Sequence, residues 1–359
     1  MEVFRLEKEI LKYLGIEKYS TKRMKYVTDV QKFLNNLAMF YCVFVSASYI
    51  LSAKDLLDMA ESLSPSTSVL VMLIKYAVFC KRSGQIFGFM DEIEEFNGLY
   101  KDFPNAREIL TKANKQSVKI TTPIKFLVIA ISTFYIMKPL IVDLVYYLFY
   151  GIQPSRGVPL KAEFFYDVKD SPAYELIYLL QIYQIILTCF LTFVTASVYS
   201  NFCHNISGHF EILRGSIKDM KIDEFVIYHL KLMDITNRLN LIYKPMIFTT
   251  YTIGTVVYVV LGLVIITADS FLKNLTPIMH AFAALIYAAS FSYGSQKIMD
   301  SSESICDEAY NIDKDYIMVL MMAQKKLRFT TPFFEASLET FSFMLSRSWS
   351  FIAVLNSFV

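Results

Sequence analysis

The strongest constraint on this chain is the alternation of long apolar stretches with charged segments. Seven stretches are candidate membrane spans, about Phe33–Ser52, Pro65–Cys80, Ile124–Tyr150, Tyr174–Tyr199, Pro245–Thr267, Leu275–Tyr293 and Phe334–Phe358. A helix needs roughly 20 mostly apolar residues to cross a bilayer. The whole chain is 55% apolar and only 19% charged, which is more apolar than a typical soluble domain. The sequence therefore predicts an all-α membrane protein that is surrounded by a lipid bilayer.

The second stretch carries a charge, Lys75, near its centre. A lysine in the middle of a span costs about 2.5–3.5 kcal/mol on insertion scales. We therefore expect Lys75 to face protein or a wet cavity, and without this stretch the count of spans is six.

The distribution of basic residues predicts the direction of the chain. The segments before the first span and after the second, fourth and sixth hold 8, 7, 6 and 5 Lys and Arg, whereas the alternate loops hold 1, 3 and 1. Cytoplasmic loops carry the excess of basic residues, so the N-terminus is predicted inside. Seven spans then place the C-terminus outside, which is opposite to a G-protein-coupled receptor. The charged first 32 residues contain no cleavable signal peptide, so the first span is expected to direct insertion.

Three segments on the predicted inner side have apolar residues at helical spacing. Such stripes predict helices that extend below the membrane and bury one face, either within the chain or against a neighbouring subunit. The stripes are Met90, Ile93, Phe96 and Leu99; Ile206, Phe210, Leu213, Ile217 and Met220; and Ala309, Ile312, Tyr316 and Val319.

The motifs of common enzyme classes do not occur in this sequence. His204 and His209 are five residues apart, off a common helical face, and no glycine-rich phosphate loop or Gly-x-Ser-x-Gly is found. A net charge of +2 is too small to indicate nucleic acid. We therefore expect no enzymatic activity, no cofactor, no metal site and no nucleic-acid partner.

The C-terminal stretch carries a loose pattern, Leu-x-x-Phe-x-x-x-Leu-x-x-Ser-x-Ser-Phe, which begins at Leu338 and ends at Phe351. Phe334 and Leu355 flank it, and Trp349 stands where Tyr is usual. With the length and the inverted seven-span plan, this ending resembles the insect odorant receptor family. The resemblance implies a tuning subunit of a ligand-gated, non-selective cation channel. It also implies a heteromeric tetramer with a longer co-receptor, in the plasma membrane of olfactory sensory neurons.

The resemblance further implies two regions and a ligand pocket. Residues 1–294 would hold the first six spans and the pocket, and residues 295–359 would hold a cytoplasmic anchor and the pore-lining last helix. The pocket would lie in the outer half of the membrane between spans two, three, four and six, for a small, volatile, mostly apolar odorant. Candidate lining residues, chosen by helical spacing, are Met72, Tyr76, Ile131, Phe134, Tyr135, Lys138, Tyr183, Ile186, Leu187, His280, Ala283 and Tyr287.

Two charges in the third span, Lys138 and Asp143, have two interpretations. Five residues separate them, so they do not face each other on one helix. Either each forms an ion pair with a neighbouring span, or they provide a polar end to the ligand cavity.

The resemblance also implies a gate at Val354, with Phe358 one turn nearer the exit. Apolar rings of this kind can close a pore by dewetting. Arg347, Phe351, Val354 and Phe358 share one helical face, so Arg347 would lie near the same lumen. It either pairs with a carboxylate such as Glu339 or lowers cation flux.

Two alternatives to an odorant receptor remain open at this point. A gustatory receptor of the same superfamily usually has Thr-Tyr and Gln-Phe in its last helix, where this chain has Ser350-Phe351 and Asn356-Ser357-Phe358. A secondary transporter would have repeated halves with broken helices at matching places, but Pro139 in span three has no such counterpart. Both alternatives therefore rank below the odorant receptor.

Overall fold

A computed structural model describes residues 3–17, 22–52, 56–151, 156–164, 168, 170–267, 271–310 and 327–357. Long helices dominate the described residues, and several of them exceed 40 residues. The described helices are α1 (Arg5–Tyr13), α2 (Lys22–Ser52), α3 (Leu56–Leu99), α4 (Ala106–Tyr150), α5 (Ala173–Gly215), α6 (Ile222–Thr267), α7 (Phe271–Tyr310) and α8 (Leu338–Asn356).

The prediction of an all-α membrane protein is confirmed in two respects: the described elements are α-helices, and several of them are long and apolar enough to cross a membrane. Four described helices, α2, α4, α5 and α6, are long and apolar enough to cross a membrane, with mean hydropathy of 1.5, 1.8, 1.9 and 2.0. The remaining predicted spans lie on α3, α7 and α8. The count of seven and the direction of the chain stay predictions.

The apolar stripes predicted beyond the spans fall on continuations of the same helices. On α3, Met90, Ile93 and Phe96 are buried, whereas Leu99 is exposed. The whole second stripe, from Ile206 to Met220, is buried along α5 and the turn that follows it. Of the third stripe only Ala309 lies within the described residues, and it is fully buried. Apart from Leu99, the residues of the first two stripes belong to one core cluster, so these stripes pack within the chain.

A chain of hydrogen bonds links four helices below the predicted spans. Asn97 of α3 donates from Nδ2 to Oδ1 of Asn205 on α5 (3.0 Å), and Asn205 donates to Asn114 on α4 (2.9 Å). His209 Nε2 lies 2.7 Å from Asn97 Oδ1, and its Nδ1 lies 2.7 Å from the Tyr228 hydroxyl on α6. Since Asn97 Oδ1 is an acceptor, Nε2 carries the proton and Nδ1 accepts from Tyr228. This tautomer satisfies both ring nitrogens of a fully buried histidine.

The short helix α1 is held against α5 by a buried carboxyl. The Phe4 ring packs 4.9 Å from Phe202, and Glu7 is only 4% exposed. Glu7 accepts hydrogen bonds from the Ser197 hydroxyl and from Asn201 Nδ2. Burial outweighs these bonds and raises the pKa of Glu7 above its ordinary value of 4.5.

Glu7→Gln is expected to stabilise the protein at neutral pH. The pKa of Glu7 is higher in the folded protein than in the unfolded chain. The free energy of unfolding therefore falls as the pH rises from the unfolded-state pKa through the folded-state pKa. A glutamine side chain is uncharged, like the protonated carboxyl group of Glu7, and it does not titrate. The variant should therefore lose this pH dependence of stability. Glu7→Leu leaves Asn201 without its acceptor and is expected to lower stability by roughly 1–3 kcal/mol. Thermal melting of the detergent-solubilised protein at several pH values measures both effects, and an equal pH slope for wild type and Glu7→Gln would contradict the assignment.

Helix α8 presents one buried and one exposed face. Ser337 caps its N-terminus by accepting from the Thr340 backbone N–H at 3.1 Å. Met344, Ser348 and Ile352, at steps of four, form the buried face. Ile352 packs against Gly262 of α6, where a Cβ atom would overlap its side chain. The glycine therefore permits the close approach of α6 and α8.

Candidate functional site

A largely apolar cavity of about 170 Å³ lies among α3, α4, α5, α6 and α7. One further residue, Leu160, comes from the segment that precedes α5. The lining residues are Pro65, Thr67, Ser68, Val69, Val71, Met72, Val128, Ile131, Ser132, Tyr135, Leu160, Gln184, Ile185, Thr188, Cys189, Thr192, Thr250, Ile253, Gly254, Val257, Tyr258, His280, Ala283, Ala284 and Tyr287.

Helical spacing explains which side chains reach the cavity. On α5, Gln184, Thr188 and Thr192 follow steps of four and form one face. On α6, Thr250, Gly254 and Val257 follow the same kind of spacing. Each of these helices thus contributes one narrow face, and Gly254 leaves space where a larger side chain would project.

A histidine provides one polar point of the wall. The Nε2 atom of His280 on α7 lies 2.8 Å from the Ser68 hydroxyl on α3, and its Nδ1 lies 3.5 Å from the Tyr135 hydroxyl on α4. These contacts join three helices across the cavity. A ligand group entering here meets an imidazole whose nitrogens already have partners.

A second polar group surrounds Lys75, which is fully buried. Its Nζ atom donates to the Tyr287 hydroxyl at 2.7 Å and lies 4.2 Å from the centre of the same ring. Thr195 Oγ1 also lies 2.7 Å from the Tyr287 hydroxyl, and it donates to the Leu191 carbonyl oxygen. The Tyr287 hydroxyl therefore donates to Thr195 and accepts from Lys75. The expectation that Lys75 faces protein agrees with this environment.

Six of the predicted pocket residues lie in the cavity wall: Met72, Ile131, Tyr135, His280, Ala283 and Tyr287. The other six lie outside it. Tyr76 donates to the Leu14 carbonyl oxygen at 2.7 Å, and Tyr183 donates to Asn35. Ile186 is 43% exposed, whereas Leu187 is buried away from the cavity. Phe134 is half-buried and Lys138 is exposed on α4.

The sequence reasoning missed two groups of cavity residues. The residues predicted on α5 lie one position away from its cavity face, which is marked by Gln184 and Thr188. The prediction did not include helix α6, although Thr250, Gly254 and Val257 have one-face spacing. Polar or small residues repeated at steps of three and four on an apolar helix are the signal that marks both faces.

The predicted gate residues lie on the exposed face of α8. Phe351 and Val354 are 59% and 55% exposed. The guanidinium of Arg347 lies 4.9 Å from the centre of the Phe343 ring. It does not form the ion pair with Glu339 that is one of the two predicted alternatives. Phe358 lies outside the described residues.

The described part of the chain contains no group of three or more His, Cys, Asp or Glu side chains that could hold a metal ion. The cavity wall is mostly apolar with a few polar groups, which is the usual composition of a small-molecule binding site.

Comparison with known proteins identifies the family. A sequence profile described as 7tm Odorant receptor matches residues 55–348. The chain belongs to this odorant receptor family. The match includes every residue of the cavity wall, and this is a family of receptors, not of enzymes. Family membership favours an odorant receptor over the gustatory receptor and the transporter.

Individual relatives of the receptor are distant in sequence. Odorant receptor 10a of Drosophila melanogaster is 24% identical over 63% of this chain and 63% of its own length. Odorant receptor 82a of the same species is 20% identical over 58% of this chain and 60% of its own length. Odorant receptor 9a is 22% identical over 88% of this chain and 85% of its own length. The matches to receptors 10a and 82a thus span less than two thirds of those proteins.

Solved structures share the receptor's fold over its whole length. The insect olfactory receptor OR5 from Machilis hrabei in complex with eugenol covers 100% of both chains, with a TM-score of 0.77 and 14% identity. A second structure of the insect olfactory receptor OR5 from Machilis hrabei gives a TM-score of 0.75 at 12% identity, with 99% of both chains covered. At this identity the comparison establishes the fold of an insect olfactory receptor.

Proposed function

We propose that this receptor is a tuning subunit that binds a small, volatile, mostly apolar odorant in the cavity among α3–α7. The cavity is the observation that supports the proposal most strongly. It is partly enclosed, and its wall is mostly apolar with a few polar groups. An apolar cavity of about 150 Å³ holds one benzene ring. A space of about 170 Å³ therefore suits a ligand of roughly 6 to 10 non-hydrogen atoms. The eugenol complex of the Machilis hrabei receptor supports ligand binding in this fold.

The proposed membrane arrangement has seven spans with the N-terminus inside and the C-terminus outside. The excess of basic residues on alternate segments supports this direction. Residues 1–294 would then carry the cavity, and residues 295–359 the cytoplasmic anchor and last helix. The plasma membrane of olfactory sensory neurons is the proposed location.

The proposed pore is lined by α8 of several subunits and opens to cations without strong selectivity. The exposed Phe351 and Val354 support this role because they leave an apolar face free for a lumen, where a ring of such side chains would gate by dewetting. Phe358 would extend the same face by one turn. Arg347, stacked on Phe343, would lie at the edge of the lumen.

The proposed partner is a co-receptor in a heteromeric tetramer. Whole-cell current should be recorded from cells that express an insect co-receptor with and without this chain, during a panel of volatile compounds. Currents that require both chains are expected. If surface-labelled pairs conduct no current with any volatile, the channel proposal is wrong.

Ala283→Phe tests the position of the binding site. The new ring would occupy most of the cavity, since a cavity of about 150 Å³ accommodates one benzene ring. We expect the half-maximal ligand concentration to rise at least tenfold. Ala281→Phe is the matched control, because Ala281 lies on α7 outside the cavity wall. Equal responses of the two variants at equal surface expression would place the ligand elsewhere.

A further inference from the structure

Two buried polar groups on the α5 wall of the cavity have no hydrogen-bond partner among the residues that the structure describes. They are the side-chain nitrogen of Gln184 and the hydroxyl of Thr188. Gln184 is only 1% exposed, and both residues line the cavity. Buried polar groups in folded proteins are nearly always paired, so two unpaired groups in one cavity wall need an explanation.

Thr188 differs from the other threonines on this part of α5. Thr192 donates its hydroxyl to the Thr188 backbone carbonyl at 2.8 Å, and Thr195 donates to the Leu191 carbonyl at 2.8 Å. These bonds satisfy a threonine hydroxyl within its own helix. The Thr188 hydroxyl has no such bond, so its proton and lone pairs are not used within the helix.

Gln184 lies one helical turn before Thr188, on the same face. The Cys42 thiol on α2, a weak acceptor, is the polar neighbour of this amide, but the contact lacks the geometry of a full hydrogen bond and leaves the amide nitrogen unsatisfied. Rotation of the amide by half a turn exchanges its oxygen and nitrogen. Gln184 can therefore present either a donor or an acceptor to the cavity.

We propose that Gln184 and Thr188 together bind the hydroxyl group of the ligand, so that the receptor is tuned to alcohols or phenols. This inference rests on the function proposed above. A hydroxyl both donates and accepts, so it pairs with Gln184 in either amide orientation and with Thr188 at the same time. Side chains four residues apart on a helix have Cβ atoms about 5–6 Å apart, a gap that one oxygen atom bridges.

Other classes of ligand match these two groups less well. A ketone or ester carbonyl only accepts, so it can pair with both donors but gives no proton to the Gln184 amide oxygen or to the Thr188 hydroxyl oxygen. An alkane leaves both groups unpaired. Among the other polar groups at the wall, the His280 imidazole, the Tyr287 hydroxyl and the Thr192 hydroxyl are bonded within the protein. The rest of the ligand is held by apolar contact.

The experiment compares compounds with one carbon skeleton in cells that express this chain with an insect co-receptor. A primary alcohol, the corresponding aldehyde and the alkane are applied to the wild type and to Gln184→Met and Thr188→Val. We expect the wild type to respond to the alcohol at a concentration at least tenfold lower than to the alkane, because a site built for a hydroxyl rejects the analogue without one. Each variant is expected to reduce this ratio at least threefold, mainly by weakening the alcohol response.

Thr255→Val is the matched control. It removes a hydroxyl from α6 outside the cavity wall, and this hydroxyl already donates to the Tyr251 carbonyl at 2.8 Å, so the alcohol-to-alkane ratio should stay as in the wild type. Responses to the alkane show that Gln184→Met and Thr188→Val fold and open.

The outcomes separate this inference from the function on which it rests. A wild-type ratio near one, or a ratio unchanged in both variants, would refute hydroxyl recognition while the volatile-gated current stands. If no compound opens a conductance at normal surface expression, the channel function is itself contradicted and the inference falls with it.

Discussion

Tyr287→Phe is expected to remove most of the receptor from the cell surface. The change deletes one oxygen atom, but that oxygen is the hydrogen-bond acceptor of Lys75, which is fully buried. No other hydrogen bond of Lys75 occurs among the described residues. Leaving a buried polar group unpaired costs about 1–3 kcal/mol, and more when the group is charged. That is a large part of the stability of a typical domain.

Lys75→Met in the same chain should restore surface expression. Methionine has a similar length and no donor, so it would form apolar contacts with the rings at position 287 and at Phe291, whose centre lies 5.3 Å from the Lys75 Nζ atom. A double-mutant cycle on surface biotinylation or on the melting temperature measures the coupling. Tyr183→Phe is a suitable control, because its hydroxyl contacts Asn35 away from Lys75. If Tyr287→Phe and Lys75→Met are additive, Lys75 does not depend on the Tyr287 hydroxyl.

The sequence predicts the helical class and the family more fully than the site. Long apolar segments require helices in a bilayer whatever they pack against, and the stripes from Met90 and from Ile206 indicate helices that continue past the predicted spans. These features depend on local periodicity. They are readable from one chain because neighbouring helices hardly alter them.

Cavity residues depend on how each helix is rotated about its axis, which local periodicity does not determine. On α7, the prediction of His280, Ala283 and Tyr287 falls on the face that lines the cavity. On α5, the prediction falls on Tyr183 and Ile186 instead of Gln184 and Thr188, because large apolar and aromatic groups are expected at a ligand site. In the structure Tyr183 and Ile186 are 45% and 43% exposed.

Long-range partners explain other differences between sequence and structure. Lys138 is a candidate for the polar end of the cavity by sequence, but it is exposed on α4. Lys75, which by sequence is expected to face protein or a wet cavity, lies beside a tyrosine 212 positions away along the chain. Contacts across such separations follow from helix packing and are not contained in the spacing of either segment.

Gly262→Val is expected to displace α8 and to change channel opening. A Cβ atom at Gly262 would overlap the end of the Ile352 side chain and lie 3.0 Å from its Cγ1. Overpacking of this kind typically costs about 1–3 kcal/mol. Valine has a higher helix propensity than glycine, so any loss comes from packing. Because α8 is the proposed pore helix, we expect an altered basal current in addition to lower surface expression.

Ile352→Ala should compensate, since it removes as many carbon atoms as Gly262→Val adds, and volume-conserving changes are tolerated best. Gly88→Ala is the control for a glycine change in a helix, because nothing lies within 4 Å of the new Cβ. The basal and ligand-evoked currents of these variants, normalised to surface expression, distinguish two roles for the contact. Rescue of expression together with current means that the α6–α8 contact sets the position of the gate. Rescue of expression alone means that this contact supports folding, and that the pore is positioned by another surface of α8.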